Sequence, residues 1–226
     1  MKNIIKTSIL VLVLGAQFLN AQVKKDVGEF SKVKTFDRIT VELIPSDAER
    51  VEIVGTRSND VEIINKNGEL KIRMKTGKLL DGEEIDAKVY FKKLTHIDAN
   101  EGSFIGSDKP FTQPSMYASA QEGAEVKITL DVDKLETKAA TGGRIKVSGS
   151  AKSQDVALGA GGILEAKSLK TQNTKVDVKA GGTAEIYASD LADARVTAGG
   201  KIVIYGNPKQ VKRKTTLGGN IEEIRE

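Results

Sequence analysis

Glu165 and Glu185 each stand three positions after a glycine, Gly162 and Gly182. If the chain between them makes one turn of a repeating structure, their carboxylates become neighbours about one strand spacing apart, ~4.8 Å. Carboxylates ~5 Å apart suit a retaining glycosidase, with one as nucleophile and the other as acid and base. The same pair could hold a divalent cation. Lys146 holds the same offset after Gly143, so a solvated face whose lysine offsets the repulsion is the plainer account. Tyr187 and Tyr205 lie five positions after Gly182 and Gly200. On adjacent turns their rings would stack, either as a platform for a sugar or as reinforcement of the repeat.

Other chemistry has little material. His96 is the only histidine and there is no cysteine, so zinc and thiol chemistry have no ligand set. No cofactor motif is present. Asp131-Val132-Asp133 is an acidic pair without a third ligand. Lys209, Lys212, Arg213 and Lys214 gather beside Asn207-Pro208 as a charged loop or a contact for an acidic glycan. The terminal Glu222-Glu223-Ile224-Arg225-Glu226 sets charge where a last strand would otherwise offer an open edge.

What must position these residues is a glycine that returns about every twenty residues. Gly102, Gly123, Gly143, Gly162, Gly182, Gly200 and Gly219 each close a corner such as Ala140-Thr141-Gly142-Gly143 or Val178-Lys179-Ala180-Gly181-Gly182. A period held over seven copies marks a solenoid. Around each corner apolar residues alternate, as in Leu158, Ala160, Leu164 and Ala166, which gives short strands with one buried face. The first two copies sit one residue out of phase, which an extra residue at the corner would produce. Gly-Gly could form an anion-binding nest, but phosphate loops want a helix after the glycines and here a strand follows. The Gly-x-Asp element of calcium-binding β-rolls is absent. Steps between 18 and 21 residues also disfavour a left-handed hexapeptide helix, which wants multiples of six.

Before the repeats, Ile39, Val41 and Leu43 alternate with polar residues, and Val51, Ile53, Val61, Ile63, Leu70, Ile72 and Met74 continue the pattern. Asn65-Lys66-Asn67-Gly68 reads as a hairpin turn. Thr76 to Glu84 reads as an exposed loop, and Gln22 to about Lys34 as a polar, poorly ordered lead-in.

The first 21 residues carry Lys2 and Lys6, a short apolar run and Ala21 before Gln22, the pattern of a signal peptide cleaved after Ala21. No later stretch is apolar enough to span a bilayer. The full chain holds 35 basic and 31 acidic residues. Without Lys2 and Lys6 the balance is 33 minus 31, or +2, which gives no electrostatic case for nucleic acid. Aromatics are 4% of the chain and tryptophan is absent, as a narrow core of Ile, Val, Leu and Ala would allow.

The order of four segments resembles the bacterial family known as putative auto-transporter adhesin, head GIN domain. They are Phe36-Asp37-Arg38-Ile39-Thr40-Val41, Leu94-Thr95-His96-Ile97-Asp98-Ala99, the Ala-Gly-Gly corners, and Tyr205-Gly206-Asn207-Pro208 followed by Leu217-Gly218-Gly219-Asn220-Ile221. The resemblance covers about residues 36–221 and implies a secreted β-helical envelope protein with no catalytic residues to carry over.

The expectation is one all-β domain over residues 22–226, a right-handed parallel β-helix of about 20 residues per turn. Residues 30–95 form an irregular, partly antiparallel entry, and 96–226 form regular rungs. The expected function is a non-enzymatic exported binding or adhesion module, in the periplasm or on the outer surface. It would meet a glycan or an envelope protein through Glu165, Glu185, Tyr187 and Tyr205. A β-helix polysaccharide lyase or hydrolase using the paired carboxylates, and a purely structural envelope element, are the alternatives.

Overall fold

The computed structural model describes residues 22–225; the signal segment read in residues 1–21 lies outside the described residues. The first seven strands are β1 (Gln22–Asp26), β2 (Lys32–Thr35), β3 (Thr40–Pro45), β4 (Arg50–Val54), β5 (Val61–Lys66), β6 (Glu69–Met74) and β7 (Asp86–Phe91). Then come β8 (His96–Ala99), β9 (Phe104–Gly106), β10 (Phe111–Gln121), β11 (Glu125–Ala140), β12 (Arg144–Leu158) and β13 (Ile163–Val178). The last are β14 (Thr183–Tyr187), β15 (Leu191–Ala198), β16 (Lys201–Tyr205), β17 (Gln210–Leu217) and β18 (Asn220–Glu223). A 3-10 turn at Ser58–Asp60 is the only helical element among the described residues.

From β8 onward the chain is a parallel β-solenoid. On one face β8, β10, β11, β12, β13, β15 and β17 pair in parallel, rung on rung. After the glycine corner a second face repeats the arrangement through β9, the start of β11, β12 and β13, then β14, β16 and β18. A third face, in register at Phe111, Leu130, Gly149 and Leu169, returns the chain to the first. The core is the stack of inward columns, such as Val126, Ile145, Leu164, Ala184 and Ile202 on the second face, each 0% exposed. Small and branched aliphatics fill it because the period-two alternation sends every second residue inward.

The corner explains the glycines. In the first four copies a pair of left-handed residues turns the chain: Glu101 and Gly102, Glu122 and Gly123, Thr141 and Gly142, Ala160 and Gly161. The next N–H closes the turn, as Gly143 N–H donates to Ala140 O at 2.9 Å. Glycines at positive φ therefore stand at 102, 123, 142, 161, 181, 199 and 218. Ser103, Ala124, Gly143, Gly162, Gly182, Gly200 and Gly219 form the following position, linked by bonds such as Glu125 N–H to Ser103 O and Arg144 N–H to Ala124 O, both 2.9 Å. No extra residue shifts the first two copies. Ser103 and Ala124 simply stand where later copies carry the second glycine. That second position needs smallness for a different reason: a Cβ on Gly143 or Gly162 would collide with the carbonyl oxygen of Ala120 or Ala139 in the neighbouring rung.

An eighth corner carries no glycine. Asp37 and Arg38 adopt φ of 60° and 64°. Arg38 N–H donates to Glu101 O at 2.9 Å, as Gly102 N–H donates to Glu122 O at 2.9 Å. So β2 and β3 form a rung beneath β8 and β9. The chain then leaves on an excursion whose own rung, β6 and β7, pairs in parallel on the far side of β2 and β3. The β5–β6 hairpin turns at Asn67 and Gly68, both at positive φ, and β4 and β1 add antiparallel strands. The polar lead-in expected over 22–34 is thus ordered as β1 and β2. Its few apolar residues, Val23, Val27, Phe30 and Val33, lie on or in the core, and Asn65 holds the segment by donating to Val27 O at 2.8 Å.

Asp37 also stitches two rungs. Its buried carboxylate accepts Met74 N–H at 2.9 Å and Leu80 N–H at 2.8 Å, and its carbonyl accepts Gly82 N–H at 3.1 Å. At the other end the core is closed by charge. Arg213 and Glu223 continue the inward columns of Ala194 and Ile204, and they pair across the last rung. Inward-pointing charge on a terminal strand is one way a sheet avoids pairing edge to edge.

The two corner positions should respond differently to a methyl group. Gly142→Ala, with open space around it but φ +74°, should cost about 1–2 kcal/mol, the conformational penalty of a left-handed residue. Gly143→Ala should cost about 3 kcal/mol because backbone must move. Thr141→Asn should gain about 0.5 kcal/mol by replacing a β-branched left-handed residue. Urea unfolding midpoints measure all three, and equal losses at 142 and 143 would show that the doublet acts as one.

Candidate functional site

The outward column of the second face runs Lys127, Lys146, Glu165, Glu185 in direct register. The two glutamates are therefore on adjacent rungs, but neither stands free. Glu165 pairs with Arg144 and lies 3.7 Å from Lys146 Nζ. Tyr205 donates its hydroxyl to Glu185 at 3.4 Å. Both carboxylates line an open groove of about 290 Å³ with Lys127, Lys146, Lys167, Ser148 and Ser168.

One residue too many makes part of that groove. The register between β12 and β13 slips between Lys146 and Ser148, so one extra residue enters β13. Ala166 stays buried while Lys167 and Ser168 are both exposed. A bulge of this kind re-aims side chains. Lys167 owes its place to it.

Tyr187 belongs to a different groove, about 560 Å³, on the third face with Asp131, Asp133, Lys152 and Lys170. Its ring carries Lys170 Nζ 4.0 Å from the centroid on one neighbouring rung and backs onto Gly206 of the other. Tyr187 and Tyr205 are in register, but of the four residues singled out from the sequence Glu165 and Glu185 line one groove, Tyr187 the other, and Tyr205 reaches the first only through its bond to Glu185. Asp131 accepts Ser150 Oγ at 2.7 Å and Asp133 pairs with Lys152 at 2.6 Å, so lysine and serine occupy the positions a cation would take. Among the described residues no group of three or more His, Asp or Glu side chains could hold a metal.

The basic cluster also divides. Lys209 pairs with Asp190 at 2.7 Å, Arg213 turns to Glu223, and Lys212 and Lys214 remain on the outer strand. His96 lies on the first face, away from both grooves. Its Nδ1 meets Thr95 Oγ1 at 2.9 Å and its ring tilts against Tyr117 at 5.4 Å. Burial and the nearby Lys32 push its pKa down.

The fold pushes the Glu101 carboxyl above its ordinary value. Burial is the main cause, followed by the charge of Asp37. A raised carboxyl is what a search for a general acid looks for. Here it sits in the left-handed corner outside both grooves, so the shift is a by-product of its burial at that corner, beside Asp37.

Lys127 and Lys167 were missed in the sequence for separate reasons. Lys127 belongs to the column of Lys146 and Glu165, but counting from the last glycine of each corner puts it one position late. Counting from the positive-φ glycine places all four residues four positions on. Lys167 is visible only as the 20-residue step between Gly161 and Gly181, which holds the bulge.

Together the features define a class: a β-solenoid that shows flat ladders and shallow polar grooves to solvent. The chain belongs to the family described as putative auto-transporter adhesin, head GIN domain, whose model matches residues 29–208. Three solved structures share the fold. A putative adhesin from Bacteroides fragilis NCTC 9343 is 19% identical, with a TM-score of 0.83, 90% of this chain and 96% of that one being covered. A putative adhesin from Parabacteroides merdae ATCC 43184 is 18% identical, with a TM-score of 0.72 and coverage of 91% and 96%. A protein from Parabacteroides distasonis ATCC 8503, called a putative lipid binding protein, is 16% identical, with a TM-score of 0.70 and coverage of 90% and 96%. No curated protein matches the sequence. Among the described residues no helix is long and apolar enough to cross a membrane.

The Glu101 shift has a definite sign. A carboxyl whose folded pKa lies above its unfolded value loses stability as pH rises from the unfolded pKa through the folded one. Glu101→Gln should therefore raise Tm at neutral pH and leave it nearly unchanged at pH ~3, well below the unfolded value, where both states hold the proton. A thermal melt at the two pH values checks this; an equal shift at both would remove the carboxyl from the account.

Proposed function

We propose that the protein is an exported binding module of the bacterial cell envelope, acting through side-chain rows and not through catalysis. The observation that carries this reading is the state of the paired carboxylates. Glu165 is held by Arg144 and Lys146, and Glu185 by Tyr205. A retaining glycosidase needs one carboxylate free to attack and a second poised to give a proton. Arg144 and Lys146 occupy both oxygens of Glu165, and Tyr205 already donates to Glu185, so neither carboxylate stands free for its role. The corner N–H groups are also spent: Gly102, Gly123, Gly142, Gly161 and Gly181 each donate to the next corner's carbonyl, so no anion cradle remains. Membership of an adhesin-named family and the signal-like first 21 residues support export and contact with an external partner, a glycan or an envelope protein.

The test uses the mature chain. It should be retained saturably on envelope preparations or intact cells, and wild type and Glu165→Gln should be equally inert towards acidic and neutral polysaccharides in a reducing-end or unsaturated-product assay. Turnover by wild type that is lost in Glu165→Gln would sink the binding-module reading and restore the hydrolase or lyase. Absence of retention on any envelope fraction would leave the structural-element reading in its place.

A further inference from the structure

The inference rests on the binding-module reading and names the ligand of one groove. The larger groove is internally satisfied: Asp133 holds Lys152, Asp131 holds Ser150 and Lys170 lies over Tyr187. A ligand there would have to break contacts already made. The groove beside the bulge is different. Lys127 and Lys167 are both exposed and have no ion-pair partner among the described residues. Lys146 shares only the outer oxygen of Glu165, whose other oxygen is taken by Arg144. Three ammonium groups thus come from three successive rungs. In the next outward row stand Thr129 and Ser148, 3.0 Å apart through their hydroxyls, and Ser168.

We propose that this row of lysines and hydroxyls binds an anionic polysaccharide laid along the solenoid axis. The rungs repeat at ~4.8 Å, close to the length of one pyranose unit in an extended chain, so successive sugars meet successive rungs. The ammonium groups suit carboxylate or sulfate, the hydroxyls suit sugar hydroxyls, and an open groove admits the middle of a long chain without an end. Glu185 closes the row at the far side. Contacts of this kind are individually weak and salt-sensitive, so strength comes from repetition along the polymer.

The experiment measures binding of the immobilised mature protein to polygalacturonate, to heparin and to uncharged dextran, at low and high salt. Wild type should hold at least one anionic polymer, release it at high salt and ignore dextran; polygalacturonate carries carboxylates alone and heparin carboxylates with sulfates, so retention of heparin only points to sulfate. Lys127→Ala with Lys167→Ala should weaken binding about tenfold. Lys127→Arg with Lys167→Arg should retain it, and Lys92→Ala with Lys93→Ala should not change it. Unchanged melting temperatures exclude misfolding, since all these side chains are exposed. Equal binding by the double alanine variant, equal binding of dextran, or failure to hold either anionic polymer would overturn the proposal. Retention on envelope fractions despite such a failure would leave the binding-module reading standing without this ligand, whereas loss of both would remove both.

Discussion

The structure depends on one backbone contact repeated at every corner. A left-handed residue in each rung directs its N–H to the corner carbonyl of the next: Gly102 to Glu122, Gly123 to Thr141, Gly142 to Ala160, Gly161 to Ala180 and Gly181 to Ala198. The turn itself is largely exposed, and the bond ties its N–H to the next rung instead of leaving it to water. The left-handed conformation solves the turn and the donor together. It also fixes the phase at which the strands on either side meet their neighbours. The inward columns stay in line because the corner does.

That constraint sends variation elsewhere. Between corners the chain length changes, and it changes on the side that joins the second and third faces. Gly106 and Phe111 enclose four residues, while their partners Lys127 and Leu130 enclose two, which accounts for the 21-residue step. The bulge that exposes Lys167 accounts for the 20-residue step. Insertions at the glycine corner would shift every strand after it by one residue and turn its core residues outward. Insertions at the other corner only bend the chain locally. The solenoid therefore has one corner devoted to folding and one free to carry side chains that folding does not need, and the groove of Lys127, Lys146 and Lys167 lies along the second.

The repeating half of the fold was legible because its signal is physical and local. Alternation of Val, Ile, Leu and Ala gave the buried columns, and the glycines gave the period. Glycine marks the corner incompletely, because the corner requires a conformation and not a residue type. Ser103 and Ala124 fill the slot of the second glycine, so the first two copies looked displaced, and Lys127 dropped out of its column. Asp37 and Arg38 make the same corner with no glycine at all, so a rung went unseen. Its partner rung of β6 and β7 enters out of chain order, and no local pattern encodes that β2 will lie between β6 and β8. Of the candidate site, the adjacency of Glu165 and Glu185 followed from the period alone. Their engagement by Arg144, Lys146 and Tyr205 did not, because it depends on where long side chains reach across a face.

The two ends of the solenoid face the same problem and solve it with different materials. Each end leaves apolar columns with no rung above them, and an uncovered column with a free strand edge invites another molecule to continue the stack. At the start, chain length is available: residues 46–95 add an extra rung and antiparallel strands, and β1 lays Val23 against the core. At the other end the last described strands are β17 and β18. There Arg213 and Glu223 replace aliphatics at inward positions, and the Glu223 carboxyl, held low chiefly by its bond to Arg213, stays charged over the core end. A charged pair in that place gives up packing that an isoleucine in each column would have made. What it gains is a column that cannot be extended by another rung without burying the charges, which is expensive. A further rung stacked on β17 and β18 would therefore have to displace the Arg213–Glu223 pair or bury it.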